Sequence, residues 1–132
     1  MNTIVLKSIK NKAIIDIGRY ISENEYDKCV NFNDYDGEIF MSLDNEEEII
    51  IKPFPTLDGD KLILYDNKSF NSDNLTKISF KASLSFLLNT KIVRIDYIYK
   101  YKLFYEFVIH FDNGKKARVF LNNTDEVNID EL

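Results

Sequence analysis

The segment YIYKYKLFYEF, residues 97–107, holds four tyrosines, two phenylalanines and two lysines, and the direction of its rings decides the fold. Every odd position from Val93 to Phe111 is apolar or aromatic, whereas most even positions are polar or charged. This alternation has the two-residue period of β-strands that bury one face. The segment therefore predicts strands whose aromatic rings face the core and whose lysines face solvent.

The preceding residues show the same alternation on even positions. KISFKASLSFLL, residues 77–88, is apolar at every even position, which predicts a half-buried strand, with a helix as the alternative. A two-residue turn at 89–90 would convert an even apolar row into an odd one and would place Phe86 opposite Val93. We therefore predict a long hairpin that closes at this turn.

The odd row also continues beyond Phe111. Asp112-Asn113-Gly114 follows, and the next apolar residues again occupy odd positions in 117–121. Two rows of equal parity need a loop with an odd number of residues. We therefore predict a three-residue loop with Gly114 in a left-handed conformation. The same rule predicts an odd-numbered loop if the chain reverses near residues 100–102.

Strand patterns in the first half occur at residues 3–9, 13–21, 37–43, 47–54 and 61–65, with Ala13, Ile15, Ile17 and Ile21 expected inward. Ser22 and Glu25 have the spacing of a capping box, which predicts a short helix over 23–31. Residues 122–132 read as a loose tail. Together these patterns predict one mainly β domain over residues 1–132. Its expected form is an antiparallel meander, a curved sheet or partly open barrel with one or two short helices, and an α+β fold is the alternative.

The composition indicates the number of domains and the cellular location of the protein. The 132 residues, 45% hydrophobic and 30% charged, are enough for one domain with a core. The sequence shows neither a signal peptide nor a membrane-spanning run, and Cys29 is its only cysteine. We therefore expect a cytoplasmic protein. The abundance of Ile, Asn, Lys and Tyr indicates an AT-rich bacterial or phage genome.

Patterns for catalysis and metal binding are weak. His110 is the only histidine and belongs to the polar row, and Cys29 has no neighbouring base to activate it. NDYDGE, residues 33–38, resembles the middle of a calcium loop, but Phe32 and Leu43 would occupy its first and last ligand positions. There is no glycine-rich phosphate loop. We therefore predict no enzyme activity, no metal and no cofactor.

Charge is distributed unevenly along the chain. Residues 23–73 carry fourteen acidic residues and four lysines, a net charge of −10, whereas residues 75–121 have a net charge of +6. The overall charge of −5 disfavours direct nucleic-acid binding. Acids concentrate at 34–38, 44–48 and 58–60, and we expect these turns to form one acidic end that attracts a cationic partner.

The leading hypothesis is a non-enzymatic binding protein that neutralises a basic partner protein, such as a nuclease-type toxin. In size, charge and lack of catalytic groups, the chain is similar in general character to immunity proteins and phage-encoded inhibitors. The expected contact residues are Asp34, Asp36, Glu38, Asp44, Glu46, Glu47, Glu48, Asp58 and Asp60, with Tyr35 as the aromatic anchor.

Two alternatives stay open. The first is a small-ligand-binding barrel whose cavity is lined by Tyr97, Tyr99, Tyr101, Tyr105 and Phe107. The second is a structural or oligomerising β protein, because an open meander leaves sheet edges that can pair with another copy. No membrane contact is expected, and the sequence leaves the oligomeric state undetermined.

Overall fold

The computed structural model describes residues 9–22, 37–57, 59–100, 103–122 and 126–132. The strands are β1 (Ile14–Ser22), β2 (Ile39–Leu43), β3 (Glu48–Thr56), β4 (Gly59–Asp66), β5 (Leu75–Ser79), β6 (Ile92–Lys100), β7 (Leu103–Phe111), β8 (Lys116–Leu121) and β9 (Val127–Glu131). Short 3-10 turns lie at Asn67–Ser69 and Ser85–Leu87. Strands make up 64% of the structure and helical turns 6%, which confirms the mainly β prediction.

All named strand pairs are antiparallel, and their order is β5-β1-β2-β3-β4-β7-β8-β9, with β6 on the second edge of β7. The strands form two sheets, from β5 to β4 and from β6 to β9. Among the described residues, the pair Leu62 opposite Phe104 connects β4 to β7. The sheets do not close into a barrel. Isolated bridges from Ala13 and Ile14 join the start of β1 to the chain before β6.

The main core lies between the two sheets. Ile17 and Ile49 from the first sheet and Phe107 and Val119 from the second are fully buried in one cluster. A smaller cluster on the opposite face of the first sheet contains Tyr20, Phe40, Ile50, Ile63 and Tyr65. Strands β1 to β4 therefore bury both faces, which explains their nearly continuous apolar sequence.

A buried arginine ties the first sheet to the last strand. Arg19, on β1, is fully buried. Its guanidinium donates hydrogen bonds to the backbone carbonyl oxygens of Gly37, at 2.6 Å, and Val127. A buried charge needs such partners to replace its lost hydration. Arg19 thereby fixes the position of β9 against β1.

The predicted β7–β8 hairpin is confirmed. Phe107, Ile109 and Phe111 are buried on β7, and their row continues across the hairpin onto β8. The Phe111 N–H donates to the Lys115 carbonyl at 3.0 Å, which closes a three-residue loop. Gly114 has φ +84°, the left-handed conformation expected for it.

The predicted strand over 77–88 is wrong beyond Ser79. β5 ends at Ser79, and the chain then turns into the 3-10 segment Ser85–Leu87. The Leu84 N–H donates to the Phe80 carbonyl at 3.0 Å, and both side chains are buried. The hairpin at 89–90 is therefore wrong too, because the flanking residues bridge to β1 rather than to each other. The apolar residues of this segment satisfy strand and helical spacing at once, and packing against β1 favours the turn.

Three further expectations are corrected by the pairing. The C-terminal residues are not a loose tail, since β9 pairs with β8 and buries Val127 and Ile129. A bulge after Ile14 turns Ile15 outward. The chain reverses between β6 and β7 with Lys100 opposite Leu103, and a bulge on β7 between Phe104 and Glu106, rather than an odd-numbered loop, preserves the parity. The predicted helix over 23–31 and most of the first predicted strand lie outside the described residues.

Candidate functional site: the acidic groove at the β2–β3 turn

The turn between β2 and β3 presents three acidic residues on a well-defined backbone. The Leu43 N–H donates to the Glu47 carbonyl at 2.8 Å, and the Glu46 N–H donates to the Leu43 carbonyl at 3.1 Å. The Asn45 side-chain oxygen accepts from the Glu47 N–H at 3.2 Å. Glu46 has φ +70°, in the left-handed region that is unfavourable for residues with a Cβ. Asp44 completes this three-residue loop.

An open groove of about 460 Å³ lies beside this turn. It is lined by Asn45, Glu46, Glu47, Glu48, Asp66, Asn67 and Lys68. The register of β3 and β4 brings the two halves together, because Ile49 lies opposite Asp66. Four carboxylates and one ammonium therefore surround the same space. We call this the acidic groove.

Glu48 lines the acidic groove and accepts four hydrogen bonds in a polar network. Its Oε1 accepts from the Tyr20 hydroxyl at 2.8 Å and from the Asn67 amide at 3.0 Å. Its Oε2 accepts from the Lys77 ammonium at 2.6 Å and from the Ser42 hydroxyl at 3.3 Å. Only 14% of the Glu48 side chain is exposed. These contacts join β1, β2, β3 and β5 at one carboxylate.

Aromatic rings surround the inner end of this network. The Tyr20 ring packs on Phe70 at a centroid distance of 4.7 Å and edge-on to Phe40 at 5.6 Å. The Lys77 ammonium lies 4.5 Å from the centroid of Phe40. Burial, followed by the hydrogen bond to and negative charge of Glu48, raises the pKa of Tyr20 to about 12. The hydroxyl therefore stays protonated and continues to donate to Glu48 throughout the physiological range.

The structure brings only some of the predicted contact residues together. Asp44, Glu46 and Glu47 are exposed on the β2–β3 turn, next to Glu48. Glu38, just before β2, and Asp60, on β4, lie towards the opposite end of the first sheet.

The described acids therefore do not all lie at one end of the sheet. Asp60 lies opposite Pro55, seven residues along β3 from Glu48, a distance of roughly 23 Å in an extended strand. The remaining predicted contacts, Asp34, Tyr35, Asp36 and Asp58, lie outside the described residues.

Sequence reasoning missed the second wall of the acidic groove. Asp66, Asn67 and Lys68 follow the predicted strand over 61–65, and the Asp66 carboxylate caps the 3-10 turn by accepting from the Lys68 N–H at 2.7 Å. The signal was present in the β3–β4 hairpin. Pairing the two predicted strands in their apolar register would have placed Asp66 beside the start of β3.

A second polar cluster lies on the outer face of β6 and β7. The Asp96 carboxylate is 2.8 Å from His110 Nε2 and 3.2 Å from the Arg94 guanidinium. The hydrogen bond from His110, followed by the charge of Arg94, lowers the pKa of Asp96. His110 thus lies in the polar row, as predicted, with an acidic and a basic neighbour.

Two residues of the tyrosine row, Tyr97 and Phe107, have described side chains, and their surroundings differ. Phe107 is fully buried in the main core, whereas Tyr97 is 43% exposed on β6. Both face the same side of the sheet, because Tyr97 lies opposite Phe107. For these two residues, the rings serve packing or surface contact.

In the described part of the chain, no group of three or more His, Cys, Asp or Glu side chains is arranged to hold a metal ion. The same ranges contain no helix that is long and apolar enough to cross a membrane. Comparison of the whole chain with protein families, curated proteins and solved structures found no match. The acidic groove must therefore be interpreted from its own geometry.

Proposed function

We propose that the chain is a cytoplasmic, non-enzymatic binding protein of bacterial or phage origin that neutralises a basic partner protein, as immunity proteins and inhibitors do. The acidic groove is the surface that receives the partner. The observation that carries the proposal is an open groove lined by four carboxylates, of which those of Glu46 and Glu47 belong to exposed residues. Carboxylates arranged in this way mimic the phosphates that a basic, nucleic-acid-binding surface normally contacts.

The size and charge of the groove support a cationic side chain as its occupant. A space of about 460 Å³ accommodates an arginine or lysine side chain with bridging water. Glu46 and Glu47 are exposed at its rim, where long-range attraction speeds encounter with a cation. Glu47 already holds one ammonium, that of Lys12, at 3.4 Å. Such an exposed pair is weak and can be exchanged for a partner's charge.

Glu48 has a supporting role in this proposal rather than a contact role. Its carboxylate is engaged by Tyr20, Asn67 and Lys77 and is largely buried. It holds the groove wall in place, while Glu46 and Glu47 meet the partner. The left-handed φ of Glu46 is consistent with a contact role, because backbone strain at a charged residue is often kept for function.

The test is affinity capture from lysate of the source cells, with three forms of the chain on separate beads. These are the natural chain, the Glu46→Lys/Glu47→Lys variant, and an Asp73→Lys/Asp112→Lys control. The control makes the same change in net charge at two exposed acids outside the groove lining. Thermal melting would confirm that all three are folded.

We expect a basic protein to be retained by the natural chain and the control, to be released by high salt, and to be lost from the groove variant. Its affinity for the groove variant should fall at least tenfold, about 1.4 kcal/mol. The captured protein's activity should also be inhibited by the natural chain. Equal retention on all three beads, or capture without inhibition, would rule the proposed function out.

A further inference from the structure

The β7–β8 turn contains a chemically reactive pair of residues that the proposed function does not use. Asn113 is followed by Gly114, and among the asparagines of the chain it is the only one whose successor is glycine. Both residues are exposed to solvent. Because glycine has no Cβ, no side chain of Gly114 blocks the approach of its backbone nitrogen to the neighbouring side-chain amide.

The turn also polarises that side-chain amide. Asn113 Oδ1 accepts a hydrogen bond from the Lys115 N–H at 3.0 Å. This donor stabilises the negative charge that develops on Oδ1 when a nucleophile attacks Cγ. The other end of the amide is held more loosely, since its Nδ2 lies 3.5 Å from the Thr90 hydroxyl, at the limit of a hydrogen bond. The amide is thus activated at its carbonyl and weakly held at its nitrogen.

We propose that Asn113 is a site of spontaneous deamidation in the folded protein. The Gly114 backbone nitrogen loses its proton to hydroxide and forms a bond to Asn113 Cγ. The bond from Cγ to Nδ2 breaks, and Nδ2 takes up protons from water and leaves as ammonia. A second water then opens the resulting succinimide ring. Attack of this water at Cγ gives aspartate, and attack at the backbone carbonyl of residue 113 gives isoaspartate, without oxidation or reduction.

One backbone hydrogen bond opposes this reaction. The Gly114 N–H donates to the Phe111 carbonyl at 3.0 Å, and it must leave this acceptor before its nitrogen can attack. Exposed turns open locally at a lower free-energy cost than the paired strands beside them. The reaction therefore proceeds from the locally opened turn, while the pairing of β7 with β8 is kept.

The β2–β3 turn provides an internal comparison. Asn45 is exposed as well, and its Oδ1 accepts from the Glu47 N–H at 3.2 Å. The Glu46 N–H donates to the Leu43 carbonyl at 3.1 Å, so both ends of this reaction are engaged as they are at Asn113. The successor differs, because the side chain of Glu46 hinders the approach of its nitrogen to the amide. Asn45 should therefore react much more slowly.

The two products affect the turn differently. Isoaspartate adds one carbon atom to the main chain of a three-residue loop. It thereby disturbs the hydrogen bond from the Phe111 N–H to the Lys115 carbonyl that closes the loop. Phe111 and, on β8, Ala117 are buried, so this disturbance extends to the edge of the main core. Aspartate keeps the loop length and the acceptor for the Lys115 N–H and adds one negative charge.

The experiment incubates the full chain at mildly alkaline pH and follows each asparagine by mass spectrometry of proteolytic peptides. Labelling with an isoaspartate-specific methyltransferase detects the rearranged product. The natural chain is compared with Gly114→Glu and Glu46→Gly, which exchange the successor residues of the two turns in opposite directions. Circular dichroism would show that each chain is folded. The natural chain in urea gives the rate at Asn113 without the turn.

We expect Asn113 of the folded natural chain to deamidate about tenfold faster than Asn45, with isoaspartate among the products. Gly114→Glu should slow the reaction at Asn113 by a similar factor, and Glu46→Gly should speed it at Asn45. An intact Asn113 in the folded chain, after the chain in urea has reacted, would overturn the proposal, because the turn would then protect this pair. Equal rates at Asn113 and Asn45 in the folded natural chain would overturn it too.

Discussion

Two hairpin turns of this protein have the same loop length and backbone hydrogen bonds but differ in their side chains. The β2–β3 turn, Asp44-Asn45-Glu46, and the β7–β8 turn, Asp112-Asn113-Gly114, are each three-residue loops. Both are closed by the same pair of backbone hydrogen bonds, at 2.8 and 3.1 Å in the first and at 3.0 and 3.0 Å in the second. In both, the asparagine side chain accepts from the N–H two residues later. The last loop residue is left-handed in each.

The differences lie at two corresponding positions. Where the β7–β8 turn has Gly114, the β2–β3 turn has Glu46, which must adopt a conformation that glycine adopts without strain. Two residues later, exposed Lys116 corresponds to Glu48, the hub of the polar network. One turn therefore only connects strands, whereas the other combines strain, acidity and long-range contacts beside a groove. Substitutions at matched positions test this contrast.

The largest effect is expected at the hub position. Glu48→Ala should destabilise the fold by about 2–4 kcal/mol, because it leaves the Lys77 ammonium and the Tyr20 hydroxyl without their acceptor. Lys116→Ala, at the matched position, should change stability by less than about 0.5 kcal/mol. Urea unfolding of both variants measures the difference. Equal effects in the two variants would mean that Glu48 is merely another exposed acid.

The same contrast explains what the sequence could predict. The β7–β8 hairpin was predicted to the residue, because a clean odd-position row and a glycine are local signals that tertiary contacts do not override. The partners of Glu48 are not local, since Tyr20 and Lys77 are 28 and 29 positions away. Hydrophobic patterns identify strands but do not give their order in the sheet. The sequence therefore does not predict which residues meet at the acidic groove.

The errors have related physical causes. In residues 77–88, the spacing of Phe80, Leu84 and Leu87 fits a helical turn as well as an alternating strand, and only contact with β1 decides between them. The sequence of β9 predicts a tail because its buried apolar pattern consists of two residues, Val127 and Ile129. The conformations of residues 77–88 and of β9 can be predicted only when the position of the neighbouring strands is known.

A smaller effect of opposite sign is expected at the left-handed position. Glu46→Gly should stabilise the fold by about 1 kcal/mol, because it removes the cost of placing a Cβ at φ +70°. Gly114→Ala should destabilise the fold by a similar amount, since it introduces that cost. Melting temperatures should shift by about 3–5 °C in opposite directions. A destabilised Glu46→Gly variant would show that the glutamate side chain makes a compensating contact.

Substituting the asparagines should reveal what the two turns have in common. Asn45→Ala and Asn113→Ala each remove one hydrogen bond from side chain to backbone, at 3.2 and 3.0 Å. Each loss should be about 0.5–1 kcal/mol, and the two should agree within about 0.5 kcal/mol. Matched thermal melts provide the measurement. A much larger loss at Asn45 would mean that the acidic groove depends on its turn more tightly than the backbone similarity indicates.

The least change at neutral pH is expected from Tyr20→Phe, which should cost no more than about 1 kcal/mol because Glu48 keeps its other donors. At alkaline pH, the presence of Tyr20 lowers the free energy of unfolding. Its pKa is raised from 10.0 to about 12 in the folded chain, so the unfolded chain loses the proton first and stability falls as pH rises between those values. The stability of the variant should therefore approach that of the natural chain between those pH values, as followed by urea unfolding.

The absorbance of tyrosinate provides an independent measurement of the tyrosine pKa values. Glu48→Gln should lower the pKa of Tyr20 but leave that of Tyr65, which is raised to about 12 by burial and by Glu38. If both tyrosines respond equally, the Tyr20–Glu48 hydrogen bond does not form in solution.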